Sequence, residues 1–237
     1  MVAIEGIDRA GKTTQTERLR AVLAAAGATV AVLSFPRYES FFGRSIRQLL
    51  DGHGAQSAAT LDPRSMALWY ALDRWSAMAV LDPTVDYLLA NRYTLSNAVY
   101  QSSRVPPEQA DELFRWVLEL EHGQLRLPLP QLTVVLDVAP GVSKDRSHRR
   151  PSGGGREEAP DVYERSQSLL ATARQRYLDA ERLVDNVVVI DCARPPGPSQ
   201  VDQVDQVDQI DHGEASLRSP DDVHELVLAA LRAHRPS

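Results

Sequence analysis

The sequence has little of several features that would place it in a specialised class of protein. A single cysteine, Cys192, excludes an internal disulfide and is compatible with a reducing compartment. No apolar run approaches the roughly 20 residues that a membrane-spanning helix needs. The net charge of −6 argues against a general nucleic-acid-binding surface, which is usually basic. We therefore expect neither a membrane nor a nucleic acid as partner.

A phosphate-binding motif lies almost at the first residue. Residues Gly6–Thr13 read G-I-D-R-A-G-K-T and match G-x-x-x-x-G-K-[ST]. The apolar run Val2–Ile4 before it suits a buried strand, and Leu19 and Leu23 after it recur at helical spacing. A signal peptide would have no room before the motif, so we expect a cytoplasmic protein.

The strand, loop and helix together favour a true phosphate loop over a Gly-rich turn with a chance lysine. Backbone N–H groups and the helix N-terminus would surround phosphate oxygens. Lys12 would reach the β- and γ-phosphates, and the Thr13 hydroxyl would ligate Mg²⁺. We predict that the chain binds a nucleoside triphosphate.

Further strands and helices alternate along the 237 residues, of which 43% are hydrophobic. Strands are predicted over 29–33, 85–90, 132–136 and 187–190, and helices over 43–50, from 62, over 95–101, from 106, over 161–184 and over 221–233. This order predicts a single α/β domain over 1–237, with a doubly wound parallel sheet of about five strands flanked by helices, as in P-loop NTPases.

Two segments interrupt the alternation. Residues 144–160 are rich in arginine around a Gly-rich hinge, which is typical of a lid that closes over ATP and excludes water, although a disordered basic loop is the alternative. Residues 194–219 contain three Val-Asp-Gln triplets, whose period fits neither a helix nor a strand. We predict a disordered surface insertion there.

Four arginines, Arg9, Arg37, Arg74 and Arg92, fall near predicted strand ends or on helix faces. Each alone could be a solvated charge. Together, beside a phosphate loop, they favour a second phosphate site, which phosphoryl transfer requires. Arg9 lies inside the loop and could act on the transferring group as an arginine finger in cis.

Aromatic and amide side chains could bind a nucleobase. Phe35, Tyr70 and Tyr100 could form a slot, although each alone could be a core aromatic. Asn97 and Gln101 lie four apart on a predicted helix and could read base edges, the alternative being an exposed polar face.

Two acids, Asp161 and Glu164, follow the predicted lid. They could be functional groups or acids that complement the dipole at a helix N-terminus.

Taken together, these motifs resemble the thymidylate kinase family over nearly the whole chain. The matching stretches are Ile4–Gln15, Phe35-Pro36-Arg37, Leu72-Asp73-Arg74, Asn91-Arg92-Tyr93 with Ser96, Asn97, Tyr100 and Gln101, and Asp161-Val162-Tyr163-Glu164, which is similar to D-x-[YF]-E. The resemblance implies transfer of the γ-phosphoryl of ATP to dTMP, with Mg²⁺, by a homodimer.

The resemblance also implies roles for individual residues. Catalysis would fall to Arg9, Lys12 and Arg92, and Mg²⁺ to Thr13, Asp8 and Glu164. ATP would contact Gly6, Asp8, Arg9, Ala10, Gly11, Lys12, Thr13, Thr14 and, at the adenine, Arg146. The dTMP would contact Asp8, Phe35, Pro36, Arg37, Tyr70, Arg74, Arg92, Asn97, Tyr100 and Gln101. Tyr70 would stack on thymine, Tyr100 would disfavour a 2′-hydroxyl, and Asp8 would face the 3′-hydroxyl or the metal.

The chain departs from the family pattern at Asn91, where the family usually has aspartate. The lid arginines Arg149, Arg150 and Arg156 leave open whether the lid shares catalysis with Arg9. Two other functions stay open: a kinase for another nucleoside monophosphate, and a degenerate nucleotide-binding regulator. Intact Arg9, Lys12 and Thr13 argue against the regulator.

Overall fold

The computed structural model describes residues 1–52, 56–140, 161–193 and 217–234. The predicted lid, with Arg146 and the other lid arginines, lies outside these residues, and so do the Val-Asp-Gln triplets.

The centre of the fold is one sheet of five parallel strands in the order β2-β3-β1-β4-β5. The strands are β1 (Val2–Glu5), β2 (Val30–Ser34), β3 (Tyr87–Asn91), β4 (Leu132–Asp137) and β5 (Val187–Asp191). Because β1 lies between β3 and β4, the loop after β1 begins at the middle of the sheet's carboxyl edge. Ligands bind at this edge in open parallel sheets.

Helices cover both faces of the sheet. They are α1 (Lys12–Ala25), α2 (Phe41–Asp51), α3 (Pro63–Met78), α4 (Thr94–Ser102), α5 (Pro107–Leu118), α6 (Gln167–Leu183) and α7 (Pro220–Ala233), and a π-helical segment (Glu119–Gln124) continues α5. On one face, α1 and α7 bury Leu19, Leu23 and Val227 against β1 and β4. The other face carries α2 to α6, whose apolar side chains form a second core. The predicted doubly wound α/β fold is confirmed.

Local sequence signals explain where α3 begins. The Asp62 carboxylate accepts hydrogen bonds from the backbone N–H groups of Arg64 (2.9 Å) and Ser65 (3.1 Å), and Pro63 occupies the first helical position. These contacts satisfy N–H groups that have no partner inside the helix. The predicted start of this helix is therefore confirmed.

The helix predicted from Asp161 begins later, at Gln167, so this prediction was wrong at its start. The Asp161 side chain accepts from the N–H groups of Tyr163 (2.8 Å) and Glu164 (2.9 Å), which closes a turn instead of a helix. Ser166 then caps α6. The alternative in which Asp161 and Glu164 are N-terminal acids of a helix is therefore wrong.

The described chain reaches both ends of the predicted insertion. Ala193 and Leu217 form an antiparallel bridge, and Ser219 caps α7 through a capping box with Asp222. None of the helices in the described ranges is long and apolar enough to cross a membrane.

Candidate active site

The phosphate loop needs glycine at both of its signature positions. Gly6 has φ +131°, and a Cβ there would lie 2.6 Å from the Leu136 carbonyl oxygen. Gly11 has φ 98° at the N-cap of α1. Arg9 also has a positive φ, 65°, and is exposed. Left-handed backbone is costly for residues other than glycine, so this arginine is held there by the loop.

Lys12 lies inside the curve of the loop. Its Nζ donates to the Ile7 carbonyl oxygen at 2.7 Å, and the residue is only 7% exposed. Burial, with a contribution from Arg92, lowers the pKa of Lys12 to about 7. Ala10 is buried behind it, and Thr14 is half-buried in the first turn of α1.

Thr13 and Asn91 meet where the loop approaches the end of β3. The Asn91 Nδ2 donates to the exposed Thr13 Oγ1 at 3.1 Å. The Asn91 Oδ1 is buried and has no hydrogen-bond partner within the described part of the chain. An unpaired buried amide oxygen is costly, and it stands beside the hydroxyl predicted to ligate Mg²⁺.

Arg92 crosses from the end of β3 to the loop. Its Nη1 donates to the Gly6 carbonyl oxygen (3.3 Å), and its Nη2 donates to Asp8 Oδ1 (2.5 Å). The Tyr100 hydroxyl donates to the other Asp8 oxygen at 3.0 Å. Burial alone would raise the pKa of Asp8, but Arg92, Lys12 and these hydrogen bonds hold it at about 2. Asp8 is therefore ionised, and each of its oxygens accepts one hydrogen bond.

An open pocket begins at Asp8 and Arg92 and extends between α2, α3 and α4. Of the residues predicted to bind the acceptor, all except Arg37 line it: Asp8, Phe35, Pro36, Tyr70, Arg74, Arg92, Asn97, Tyr100 and Gln101. The sequence motifs had also included the lining residues Ser96 and Tyr163 without assigning them a site role, and Asp161 as a possible functional group. Tyr38 lines the pocket as well. Leu50 also lines the pocket and carries no local signal.

Arg74, which lines this pocket, forms a buried ion pair with Glu121. Arg74 donates through Nε to Glu121 Oε2 (2.5 Å) and through Nη2 to Oε1 (2.7 Å), and both side chains are inaccessible to solvent. Burial would lower the pKa of Arg74, but Glu121 raises it above its ordinary value. Glu121 lies in the π-helical segment, 47 residues from Arg74 in the chain, and no sequence pattern pointed to it.

Asn97 and Gln101 are buried, so the alternative of an exposed polar face is wrong. Asn97 Nδ2 donates to the Ala67 carbonyl oxygen (3.0 Å) and to Glu121 Oε1 (2.8 Å). Gln101 Oε1 accepts from Arg104 Nη1 at 2.6 Å. These partners fix both amide orientations, because a carboxylate only accepts and a guanidinium only donates.

The other polar atom of each amide has no described hydrogen-bond partner. Asn97 Oδ1, an acceptor, and Gln101 Nε2, a donor, are buried without a partner in the described ranges. Native structures rarely leave such atoms unpaired, so each unpaired atom requires an explanation.

The aromatic residues lie around these amides. Tyr100 stacks on Tyr163 with ring centroids 5.9 Å apart and an interplanar angle of 18°. Tyr70 is half-buried at the pocket. Phe35 packs in a core cluster and also lines the pocket, beneath the Arg74 guanidinium at 5.9 Å. The two interpretations of Phe35 are therefore compatible.

Arg37 and Glu164 lie outside the pocket lining. The Arg37 Nε reaches Glu39 at 3.3 Å, while its backbone N–H donates to Asp73 at 2.7 Å. Burial, followed by Asp8 and Asp161, raises the pKa of Glu164. Across the described ranges, His, Cys, Asp and Glu side chains form no group of three or more that could hold a metal ion.

Comparisons with known proteins agree on one family. The family model described as thymidylate kinase matches residues 4–202. The chain is 36% identical over 174 residues to the thymidylate kinase of Mycobacterium tuberculosis strain H37Rv, covering 71% of this chain and 79% of that protein. It is 30% identical over 204 residues to the thymidylate kinase of Burkholderia cenocepacia strain J2315, covering 81% and 89%.

A solved structure of thymidylate kinase from Candida albicans has the same fold. It matches with a TM-score of 0.67 and 18% identity, covering 99% of this chain and 92% of that one. At that identity the likeness concerns the fold alone. The family model and the two bacterial relatives carry the assignment, and they agree with the phosphate loop and the order of the motifs: this chain belongs to the thymidylate kinase family.

Proposed function

We propose that this protein transfers the γ-phosphoryl group of ATP to dTMP, giving ADP and dTDP. The observation that carries the proposal is the pair of unpaired amide atoms, Asn97 Oδ1 and Gln101 Nε2, on residues that line a pocket beside the phosphate loop. Membership of the thymidylate kinase family supports both substrates.

The amide pair matches the base of the proposed acceptor. Thymine presents a donor at N3–H beside an acceptor at O4, which complements one free acceptor and one free donor. Cytosine presents the opposite pattern, an acceptor at N3 and a donor at N4. A buried site built for a polar group rejects the analogue that leaves its own polar atoms unpaired. Tyr70 would stack on the base, and Tyr100 would stand against the sugar.

Arg92 is the proposed anchor of the acceptor phosphate. Asp8 holds its guanidinium at 2.5 Å, between the pocket and the phosphate loop, which is the position that in-line transfer requires. Arg74 would contribute its charge to the pocket while Glu121 holds it. Arg37 would complete the acceptor site, since its only described ion-pair partner is the exposed Glu39.

The loop residues are proposed to hold ATP with Mg²⁺. The negative charge of the phosphates would favour the ammonium form of Lys12. Mg²⁺ commonly uses one or two protein oxygens together with substrate phosphates and water. The Thr13 hydroxyl suits such a site, and the unpaired Asn91 Oδ1 could accept from a water in it. Each Asp8 oxygen accepts one hydrogen bond and keeps a second lone pair, so Asp8 is a further candidate for the metal. When bound, Mg²⁺ would neutralise charge on the β- and γ-phosphates.

The organisation of the whole chain is also part of the proposal. Residues 1–237 would form one kinase domain, with 144–160 as the lid, Arg146 against adenine and 194–219 as an insertion that catalysis does not need. The protein would be a cytoplasmic homodimer, and Glu164 a further group toward the metal.

Acceptor selectivity tests this function. With MgATP, we expect ADP formation to depend on the acceptor, with kcat/KM for dTMP about a hundredfold or more above that for dCMP, because cytosine mismatches both amides. The same panel includes dUMP, which presents the same base edge, and dGMP. Preference for dCMP or dGMP would point to another nucleoside monophosphate kinase, and ADP formation with none of the four would contradict the proposal.

The Asn91→Asp variant tests the Mg²⁺ assignment. A carboxylate at this position would accept from the Thr13 hydroxyl and add negative charge, so we expect half-maximal activity at a Mg²⁺ concentration about tenfold lower. Titration calorimetry of Mg²⁺ into the ATP complex should show the same shift in affinity. Asn91→Leu, which has no oxygen to offer, should shift the requirement upward. An unchanged Mg²⁺ requirement in both variants would contradict the placement of Asn91 near the metal.

A further inference from the structure

Glu5, the last residue of β1, is a buried carboxylate directly before the phosphate loop. It is 0% exposed, and none of the ion pairs in the described ranges includes it. Its Oε1 accepts from the backbone N–H groups of Tyr93 (2.7 Å) and Ser96 (3.1 Å). These belong to the N-terminus of α4, whose N-cap residue, Tyr93, makes no side-chain cap of its own. Glu5 therefore caps α4 from a neighbouring strand, where the helix dipole favours a negative charge.

The second oxygen of Glu5 connects to Arg92 through one hydroxyl. Ser96 Oγ lies 2.5 Å from Glu5 Oε2 and 3.1 Å from Arg92 Nη1. The guanidinium only donates and the carboxylate only accepts, so the direction of both hydrogen bonds is fixed. Arg92 donates to Ser96, and Ser96 donates to Glu5. Such a chain polarises the hydroxyl and strengthens both bonds.

The hydrogen bonds from Arg92 to Ser96 and from Ser96 to Glu5 complete the set of contacts that fixes the Arg92 guanidinium. The Gly6 carbonyl and Asp8 hold it from the loop, and Ser96 holds it from α4. Glu5 and Asp8 lie on either side of Gly6 in the sequence. The end of β1 therefore contacts Arg92 through Ser96, and the phosphate loop contacts it directly through Asp8. Arg92 itself has a left-handed backbone, φ 64°, so its position depends on these contacts.

We propose that Ser96, backed by Glu5, is a positioning residue that holds the Arg92 guanidinium in register with the phosphate loop. This inference rests on the proposed function only in its last step, in which the positioned guanidinium serves phosphoryl transfer. Ser96 acts through Arg92, so its removal reduces turnover by loosening that group.

A matched pair of variants separates positioning from simple stability. Tyr177 also reaches Glu5 Oε2, at 3.3 Å, and Ser96 Oγ, at 2.8 Å, but it makes no described hydrogen bond to Arg92. Ser96→Ala and Tyr177→Phe therefore each remove one hydroxyl that lies within hydrogen-bond distance of the Glu5 carboxylate. Only Ser96→Ala removes a contact of Arg92. The backbone N–H of Ser96 still caps the helix in both variants.

We expect Ser96→Ala to lower kcat about tenfold with KM for ATP changed less than about twofold, as for a group that acts in the transition state. Tyr177→Phe should keep kcat within about twofold, with a similar fall in the thermal midpoint. Equal losses of kcat in the two variants would overturn the proposal. Ser96→Cys, whose thiol is a weak donor, serves as the second variant if Ser96→Ala does not fold.

A measurement independent of activity separates this inference from the proposed function. In ¹⁵N-arginine NMR spectra, the Arg92 signal is identified by its loss in Arg92→Lys. A guanidinium held by several hydrogen bonds shows hindered rotation, and its two terminal nitrogens give separate signals. We expect these signals to merge in Ser96→Ala and to stay separate in Tyr177→Phe. Unchanged signals in Ser96→Ala would overturn the inference, whatever the turnover. Merged signals in a protein without dTMP-dependent turnover would support the positioning and contradict only the proposed function.

Discussion

An Arg9→Ala variant is expected to lose about three orders of magnitude in kcat while its affinity for ATP changes by less than about threefold. Arg9 is exposed in the phosphate loop at φ 65°, and no hydrogen bond or ion pair is described for it. Its charge is therefore available to the phosphoryl group in transit. A cation that acts mainly on transition-state charge changes kcat more than ground-state binding.

Two controls test this assignment of Arg9. Arg9→Lys keeps the charge without the planar fork and should recover part of the loss, since lysine offers a point charge. Arg9→Gly removes the charge and relieves the left-handed backbone, so it should be as inactive as Arg9→Ala. ATP affinity measured by titration calorimetry should be similar in all four proteins. A loss of ATP binding as large as the loss of kcat would contradict a transition-state role.

A Lys12→Ala variant is expected to lower kcat/KM by about two to three orders of magnitude, because it removes the cation that we propose reaches the β- and γ-phosphates. Unlike the exposed Arg9, Lys12 is buried within the curve of the loop, so its loss should weaken ATP binding as well as turnover. Steady-state kinetics with varied ATP, alongside calorimetry, separates these effects. Wild-type kinetics in Lys12→Ala would remove the residue from the mechanism.

Stability gives a second readout for Lys12. Its pKa is lowered from 10.5 to about 7, mainly by burial, so the unfolded chain binds more protons than the folded one between these values. The contribution of this lysine to the free energy of unfolding therefore rises with pH across that window. Lys12→Ala should lack this rise and should not lower the thermal midpoint of the nucleotide-free protein near pH 7. MgATP should raise the midpoint of the wild type and not that of the variant.

The phosphate loop and the parallel sheet could be predicted because their signals are local. Gly6, Gly11 and Lys12 stand at fixed spacing between an apolar strand and a helix, and each signature glycine has the positive φ that its role requires. The cap of α3 was likewise predictable from Asp62 and Pro63. These features depend on neighbours in the chain, which a sequence displays.

The contacts that hold the side chains of the candidate site were not predictable in the same way, although nine of the ten residues predicted to bind the acceptor line the pocket. Glu121 joins Arg74 across 47 residues, and Glu5 meets Ser96 across 91. No periodicity marks such pairs, since each partner alone resembles an ordinary charged or polar residue. The helix predicted from Asp161 failed for another reason, because a side-chain hydrogen bond favoured a turn over the helix that the spacing indicated.

The most direct test follows the γ-phosphoryl group itself from γ-labelled ATP with Mg²⁺ and dTMP. We predict that label appears in dTDP, at a rate that matches ADP formation, and that Lys12→Ala gives almost none. The Tyr177→Phe protein serves as the active control. Label that appears in free phosphate at the same rate with and without dTMP would mean that the pocket beside the loop does not hold the acceptor, and this result would contradict the proposed function.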